Sequence, residues 1–311
     1  MAIVVSSEPL EDSYLPDKLL FRDKELKTLS SLANGGLNIA VQGPAGSGKT
    51  TLVRYALAND LLRSYDKAIY VDCILFQTTN SVLKEILYEV SPLSSIPQSN
   101  SSLISRLALK ARNRKLLVVL DHFDRVYEQD VVDKLLSLGV KLIIIMNRDV
   151  KLSEAARARI AYWLRLERYT LNQVREILLE RVKVALRPGS CSDEVLNEIA
   201  RRSNGNASLA LTMLKAAVSV AESLGEDYVS INHIPAFMVE NEKLGDDEAL
   251  LLQILREHRR LHASKLYEAY KRLSLSPKGE RSFRRYMGRL VAKGLVRAIG
   301  AKRWRIYEVV G

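Results

Sequence analysis

Residues 37–62 read LNIAVQGPAGSGKTTLVRYALANDLL. A short apolar run, Leu37–Gln42, gives way at Gly43 to GPAGSGKT, which fits G-x-x-x-x-G-K-[ST], and a helical pattern runs on from Lys49 to Leu62. The order decides more than the octet does. Strand, glycine-rich turn and helix together aim free backbone N–H groups and the positive end of a helix at one phosphate. Gly43, Gly46 and Gly48 let the backbone turn toward phosphate oxygens, Lys49 meets the β- and γ-phosphates, and the Thr50 hydroxyl faces a magnesium ion. The expected cradle is Gly43, Pro44, Ala45, Gly46, Ser47, Gly48, Lys49, Thr50 and Thr51. Its expected occupant is ATP or ADP with Mg²⁺.

Outward from this stretch the N-terminal half alternates two patterns. Strands are expected at Leu37–Gln42, Ala68–Cys73, Leu116–Leu120 and Lys141–Met146, with helical spacing at Lys24–Ala33, Lys49–Leu62, Ser81–Glu89 and Ser101–Asn113. Short apolar runs separated by helices read as parallel strands buried on both faces, hence a three-layer α/β domain. The run LLVVLD ends in Asp121, the position of a magnesium-orienting carboxylate. Where many NTPases follow it with a water-activating glutamate, His122 stands here. Loss of the base is the favoured reading, with His122 or Asp124 as the substitute. The run LIIIM ends in Asn147, which either positions the attacking water or is an ordinary turn residue.

After Leu166 the strand signals stop. Three amphipathic helices follow, TLNQVREILLERVKVAL, DEVLNEIARRS and ASLALTMLKAAVSVAESLG, broken at RPGSC and NGN. A third unit starts near Gly245, with helices Glu248–Arg259 and Ala263–Leu273. A helix from Pro277, capped by Ser276, runs to Ala292, and the strands LVRAI and RWRIYEV close the unit. The expected domains are residues 1–165, 166–243 and 244–311.

The chain has 311 residues, a net charge of +11 and two cysteines. Isolated Cys73 and Cys191 exclude a disulfide framework and a four-cysteine zinc site. No segment nears the roughly 20 apolar residues that span a bilayer, and MAIVVSSEPLED lacks the basic start of a secretory signal. The expected setting is therefore cytoplasmic, beside the nucleoid, without membrane contact. Residues 271–305 hold twelve basic side chains against Glu280 alone, so the rest of the chain sums to zero. On the helix Pro277–Ala292, Phe283, Met287, Leu290 and Val291 form one apolar stripe. Lys278, Arg281, Ser282, Arg284, Arg285 and Arg289 lie outside it. Two helices, a basic helix and a hairpin is the order of a winged helix-turn-helix. Its arginine-rich helix enters a major groove, and Lys302 and Arg303 at the hairpin tip reach a backbone or minor groove. Double-stranded DNA is the expected partner, with a winged helix used for protein contacts as the alternative.

These motifs in this order resemble one family, the archaeal replication initiators of the origin-recognition and cell-division-cycle group, within the AAA+ ATPases. The resemblance is carried by SYLPDKLLFRDKEL, GPAGSGKT, AIYVDCILFQTTNSVLKEIL, LRLERYTLNQVREILLERV, SNGNASLALTMLKAAVSVAE, YVSINHI, YEAYKRL and GRLVAKGLV, which cover nearly the whole chain. It implies an AAA+ P-loop NTPase domain, a helical lid and a C-terminal winged helix. It implies that Asn147 is sensor 1, that Thr50 and Asp121 hold the magnesium, and that Tyr14 to Arg22 lie near the adenine. Arg157 or Arg159 stands where an inter-subunit arginine finger comes, with an exposed helix charge as the equal alternative. Two positions depart from the family: its Asp-Glu pair is Asp121-His122 here, and its sensor-2 arginine aligns with Ser208. Both departures remove transition-state contacts and spare ground-state binding.

The expected function is therefore an ATP- or ADP-binding, duplex-binding, initiator-like factor with weak or absent hydrolysis, a divergent paralogue within the family. It is expected to be a monomer in solution that can oligomerise on DNA, with a replicative helicase or a related initiator as a further partner. The alternatives are a loader or remodeller that completes its ATPase site in trans, and a signalling-type switch NTPase with a regulatory winged helix.

Overall fold

Five parallel strands form the central sheet: β1 (Ile39–Gln42), β2 (Lys67–Asp72), β3 (Leu116–Asp121), β4 (Lys141–Met146) and β5 (Tyr162–Arg165), in the order β2-β3-β4-β1-β5. The computed structural model describes residues 2–59, 64–92, 96–235, 246–274, 277–292, 295–300 and 305–309. The chain divides into two compact units, Met1–Val239 and Glu240–Gly311.

Strand β3 shows why the sequence reads as it does. Leu116, Val118 and Leu120 enter a core with α3 (Thr79–Val90), α4 (Asn100–Ala111) and α5 (Val131–Ser137). Leu117 and Val119 enter the opposite core, with α1 (Asp23–Asn34) and α2 (Lys49–Asn59). Burial on both faces requires an unbroken apolar run, which is the pattern the sequence carries. The strand expectations at Leu116 and Lys141 hold to within a residue. Strand β5 and helix α5 escape the sequence reading. Strand β5, at the sheet edge, exposes Tyr162 and Arg165 and buries Leu164, so it has no apolar run to notice. Helix α5 is only seven residues long, too short for a helical period to stand out.

The helices α7 (Leu171–Ala185), α8 (Asp193–Arg202) and α9 (Ala207–Ser223) build a third core in the same unit. Thr170 and Gln173 form a capping box at the start of α7, and the Asn206 side chain caps α9 by accepting from the Leu209 N–H at 3.0 Å. The chain's opening also belongs to this core: Ile3 and Leu10 are buried among the three helices. The Val5 N–H donates to the Ala185 carbonyl at 2.8 Å, and the Arg187 N–H to that of Ile3 at 2.9 Å. Among the described residues no helix is long and apolar enough to cross a membrane.

The second unit runs α10 (Asp246–His258), β6 (Arg260–His262), α11 (Ala263–Leu273), α12 (Glu280–Ala292), β7 (Val296–Ile299) and β8 (Ile306–Val309). Its antiparallel sheet has the order β6-β8-β7. Tyr270, Phe283, Met287, Leu290 and Tyr307 fill its core, with Phe283 edge-on to Tyr307 at 6.5 Å. Strand β6, three residues long, gave no sequence signal.

The basic helix begins at Glu280, three residues later than Pro277. The two tyrosines of α11 explain the delay: the Lys278 N–H donates to the Tyr270 hydroxyl at 3.0 Å, and the Tyr267 hydroxyl donates to the Lys278 carbonyl at 3.2 Å. Held in this way, Pro277–Gly279 stay outside the helix, and the Gly279 carbonyl opens it by accepting from Ser282 and Phe283. Ser276, Lys302 and Arg303 lie outside the described residues.

Candidate nucleotide site and basic helix

Strands β1, β3 and β4 are parallel and in register, with Gln42 beside Met146 and Leu120 beside Ile144. Gly43 and Asn147, which follow β1 and β4, and Asp121, the last residue of β3, therefore reach one edge of the sheet. There Gly43 to Gly48 wrap over the start of α2, with Gly46 and Gly48 at φ +69° and +86°. Neighbours leave no room for side chains. A Cβ on Gly43 would lie 2.3 Å from the Leu166 carbonyl oxygen, one on Gly46 1.6 Å from Asn206 Oδ1, and one on Gly48 2.4 Å from the Tyr169 hydroxyl. The glycines are thus needed for the close approach of three other segments as well as for their backbone angles.

Two of those segments come from the three-helix core. The Ala207 N–H at the head of α9 donates to the Gly46 carbonyl at 3.0 Å. Arg22, buried to 6% exposure, donates to the Ser47 carbonyl at 3.0 Å and the Glu167 carbonyl at 2.6 Å, with its guanidinium over the Tyr169 ring. The Tyr14 ring carries the guanidinium of Arg181, which reaches the Pro9 carbonyl from α7. Of the two residues expected at the base, Arg22 therefore touches the cradle directly, and Tyr14 packs on the helical core.

Lys49 is buried at the floor of the loop, its Nζ donating to the Pro44 carbonyl at 2.7 Å. Burial lowers its pKa to about 8, against the opposing pull of Asp121 and Asp124. The charged form is disfavoured in the folded state, so without nucleotide the protein should gain stability as pH rises from about 8 toward the usual lysine range. Phosphates restore the charge. Binding of ADP should then take up almost no proton at pH 7 and close to one at pH 9, with affinity falling over that interval. Titration calorimetry in two buffers of different ionisation enthalpy measures this uptake, and Lys49→Met should abolish it.

Asp121, 1% exposed, is surrounded by donors. The Thr50 hydroxyl reaches its Oδ2 at 2.8 Å, the Tyr70 hydroxyl donates to the same oxygen, and the His122 N–H reaches Oδ1 at 2.7 Å. A hydroxyl and a carboxylate paired at the mouth of a phosphate cradle is a donor set that fits Mg²⁺ completed by phosphate oxygens. Among the described residues no cluster of three or more His, Cys, Asp or Glu is poised to hold a metal on its own. Tyr70 went unnoticed in the sequence because it sits inside an apolar strand. Burial and the Asp121 carboxylate hold its hydroxyl protonated, well above the usual phenol range.

His122 occupies the left-handed region, φ +53°, and its Nδ1 lies 3.2 Å from Asp72 Oδ1 at the end of β2. The ring is thus held toward a carboxylate on the neighbouring strand. Asp124 Oδ1 accepts the Asn147 N–H at 3.0 Å, and its Oδ2 lies 3.7 Å from Arg148 Nε. The Arg157 guanidinium lies over the Trp163 ring at 4.9 Å, Arg159 is exposed, and both stand on the short helix α6 (Glu154–Arg159). Ser208, one residue into α9, is exposed.

On α12 the apolar stripe faces the core as expected, leaving Arg281, Arg284, Arg285 and Arg289 exposed and Ser282 half-buried. The arginines differ in their engagement. Arg284 pairs with Glu280 at 3.0 Å, and Arg289 pairs at 3.1 Å with Glu248, whose side chain is 4% exposed on α10. Arg285 stacks loosely on Tyr286, and Arg281 meets no acidic partner among the described residues. Lys278 is exposed beside them.

Comparison with known proteins agrees with this geometry. Residues 33–153 match an AAA domain family, and residues 175–236 match the Cdc6 AAA+ ATPase-type lid domain. ORC1-type DNA replication protein 9 of Halobacterium salinarum is 26% identical, over 97% of this chain and 92% of its own length. The ORC1-type DNA replication protein of Thermococcus kodakarensis is 28% identical over 75% of this chain, which spans 64% of that longer relative. The crystal structure of the Aeropyrum pernix ORC1 protein in complex with DNA superposes with a TM-score of 0.73 at 24% identity, covering 99% of this chain and 93% of that one. The chain thus joins an AAA domain to a Cdc6-type lid and is similar over nearly its whole length to an ORC1-type DNA replication protein.

Proposed function

We propose that this chain is an initiator-like factor that holds ATP or ADP with Mg²⁺ in the Gly43–Thr51 cradle, binds duplex DNA through α12 and its hairpin, and turns ATP over slowly or not at all. The observation that carries the reading is a full set of ground-state contacts beside a missing base. Lys49, Thr50 and Asp121 converge, whereas the residue after Asp121 is a histidine held by Asp72. General-base assistance is worth about 10²- to 10⁴-fold in rate, so its absence leaves binding intact and slows turnover. Docking of the head of α9 on Gly46 through a backbone amide supports a second element of the reading. The three-helix core can report nucleotide occupancy without a sensor-2 arginine. The second unit supports the DNA role with a basic helix whose apolar stripe faces the core, which leaves Arg281 and Arg285 for a partner. The Aeropyrum relative of similar fold was solved with DNA bound.

A substitution tests the missing base. His122→Glu removes the partner of Asp72 and supplies a carboxylate after Asp121, so steady-state ATP turnover should rise at least tenfold with nucleotide affinity little changed. Equal turnover in the two proteins would show that His122 is not what limits the reaction.

A further inference from the structure

The first unit nearly balances its charges, 30 basic side chains against 27 acidic over residues 1–239, but they are not evenly placed. Residues 106–115 read RLALKARNRK, five basic side chains with no acid among them. The structure brings the end of this run to the rim of a polar concavity of about 560 Å³ lined by Ser64, Tyr65, Asp66, Arg112, Asn113, Arg114 and Lys115. Lys110, Arg112, Arg114 and Lys115 are exposed, and none enters an ion pair among the described residues. Asp66, the acid in the lining, has its Oδ2 engaged by the Lys115 N–H at 2.7 Å.

We propose that this rim is a second contact for the phosphate backbone of duplex DNA, separate from α12. Arginine forks and a lysine around a polar hollow match phosphodiester oxygens. A protein partner would require aromatic or aliphatic anchors; the aromatic in the lining, Tyr65, is instead packed inward, buried with its hydroxyl donating to the Ala33 carbonyl. The site is also distinct from the nucleotide cradle. Lys115 precedes the first residue of β3 and Asp121 is its last, so six residues of strand, about 20 Å, separate them. The choice of DNA as the polymer rests on the DNA-binding reading of the second unit, and the test separates the two.

Duplex affinity of the full chain is measured against salt for Arg112→Ala/Arg114→Ala/Lys115→Ala and, in parallel, for Arg281→Ala/Arg285→Ala. Unchanged ADP affinity reports that the rim variant is folded. The rim variant should lose about 0.9 of the logarithmic salt slope for each phosphate contact removed, up to about 2.7 in all. An unaltered slope and affinity in the rim variant, with the α12 variant weakened, would overturn the rim site and leave the α12 reading standing. A weakened rim variant beside an unaffected α12 variant would leave the rim site standing and overturn the other. Inorganic tripolyphosphate, added at constant ionic strength, should compete poorly. Competition as effective as that of DNA of equal phosphate content would assign the rim to a free polyphosphate and overturn the DNA contact.

Discussion

Gly46→Ala should lower ADP affinity by about 100-fold or more and destabilise the first unit by about 2–4 kcal/mol. The magnitude is built from separate losses at one Cβ. The residue sits at φ +69°, a conformation that costs an L side chain about 1–2 kcal/mol. The new carbon would lie 1.6 Å from Asn206 Oδ1 and 3.1 Å from the Ala207 nitrogen, and both atoms belong to the head of α9. Moving them gives up the Asn206 cap, worth about 1 kcal/mol, and the hydrogen bond from Ala207 to the Gly46 carbonyl, worth about as much again. The loop that must move is the one that holds the phosphates, so binding falls together with stability. Gly139→Ala is the control. Gly139 shares the positive φ, at +75°, but a Cβ there meets nothing within 4 Å, so only the backbone cost should appear, with ADP affinity unchanged. Calorimetric binding and thermal unfolding of the two variants separate the steric contribution from the conformational one.

The second large effect is expected on DNA. Arg281→Ala/Arg285→Ala should weaken duplex binding at least about 30-fold near physiological salt, because each arginine lost from a base edge or a phosphate costs about 1–3 kcal/mol. The logarithmic salt slope should fall by about 0.9 for each contact that was to phosphate. Arg289 is left out of this variant for a structural reason. Its guanidinium neutralises Glu248, whose carboxylate is almost fully enclosed. Arg289→Ala would leave that acid buried without its partner and cost about 1–2 kcal/mol of stability, the figure being reduced because the arginine itself is half exposed. A loss of DNA binding in that variant would confound folding with recognition. Fluorescence anisotropy on a labelled duplex across a salt series, with unfolding curves alongside, distinguishes the two pairs.

The nucleotide edge was legible in the sequence because its chemistry is local. Gly43 to Thr50 are contiguous, and the strand before and the helix after them follow from apolar period alone. Asp121 and Asn147 were placed by the same logic, each ending an apolar run of a parallel strand, and the register of β1, β3 and β4 brings them to one edge. What escaped was whatever depends on contacts distant in the chain. Tyr70 and Asp72 act on Asp121 and His122 across the β2–β3 pair, and nothing local marks them. Asn206 lay in a stretch that reads only as a helix breaker, yet its side chain and the amide after it meet the phosphate loop from some 160 residues away in sequence. In the second unit the apolar stripe of α12 was readable. Its start was not, because it is set by two tyrosine hydroxyls on α11 rather than by the proline that suggested it. The near balance of charge in the first unit likewise conceals the basic run at residues 106–115.

That this chain keeps nucleotide without consuming it is tested directly by single-turnover hydrolysis. With protein in excess over labelled ATP and Mg²⁺ present, the predicted result is bound ATP that survives intact for minutes, with and without duplex DNA. A rate at or above about 1 s⁻¹, the lower end of ordinary enzyme turnover, that vanishes in Asp121→Ala would contradict it.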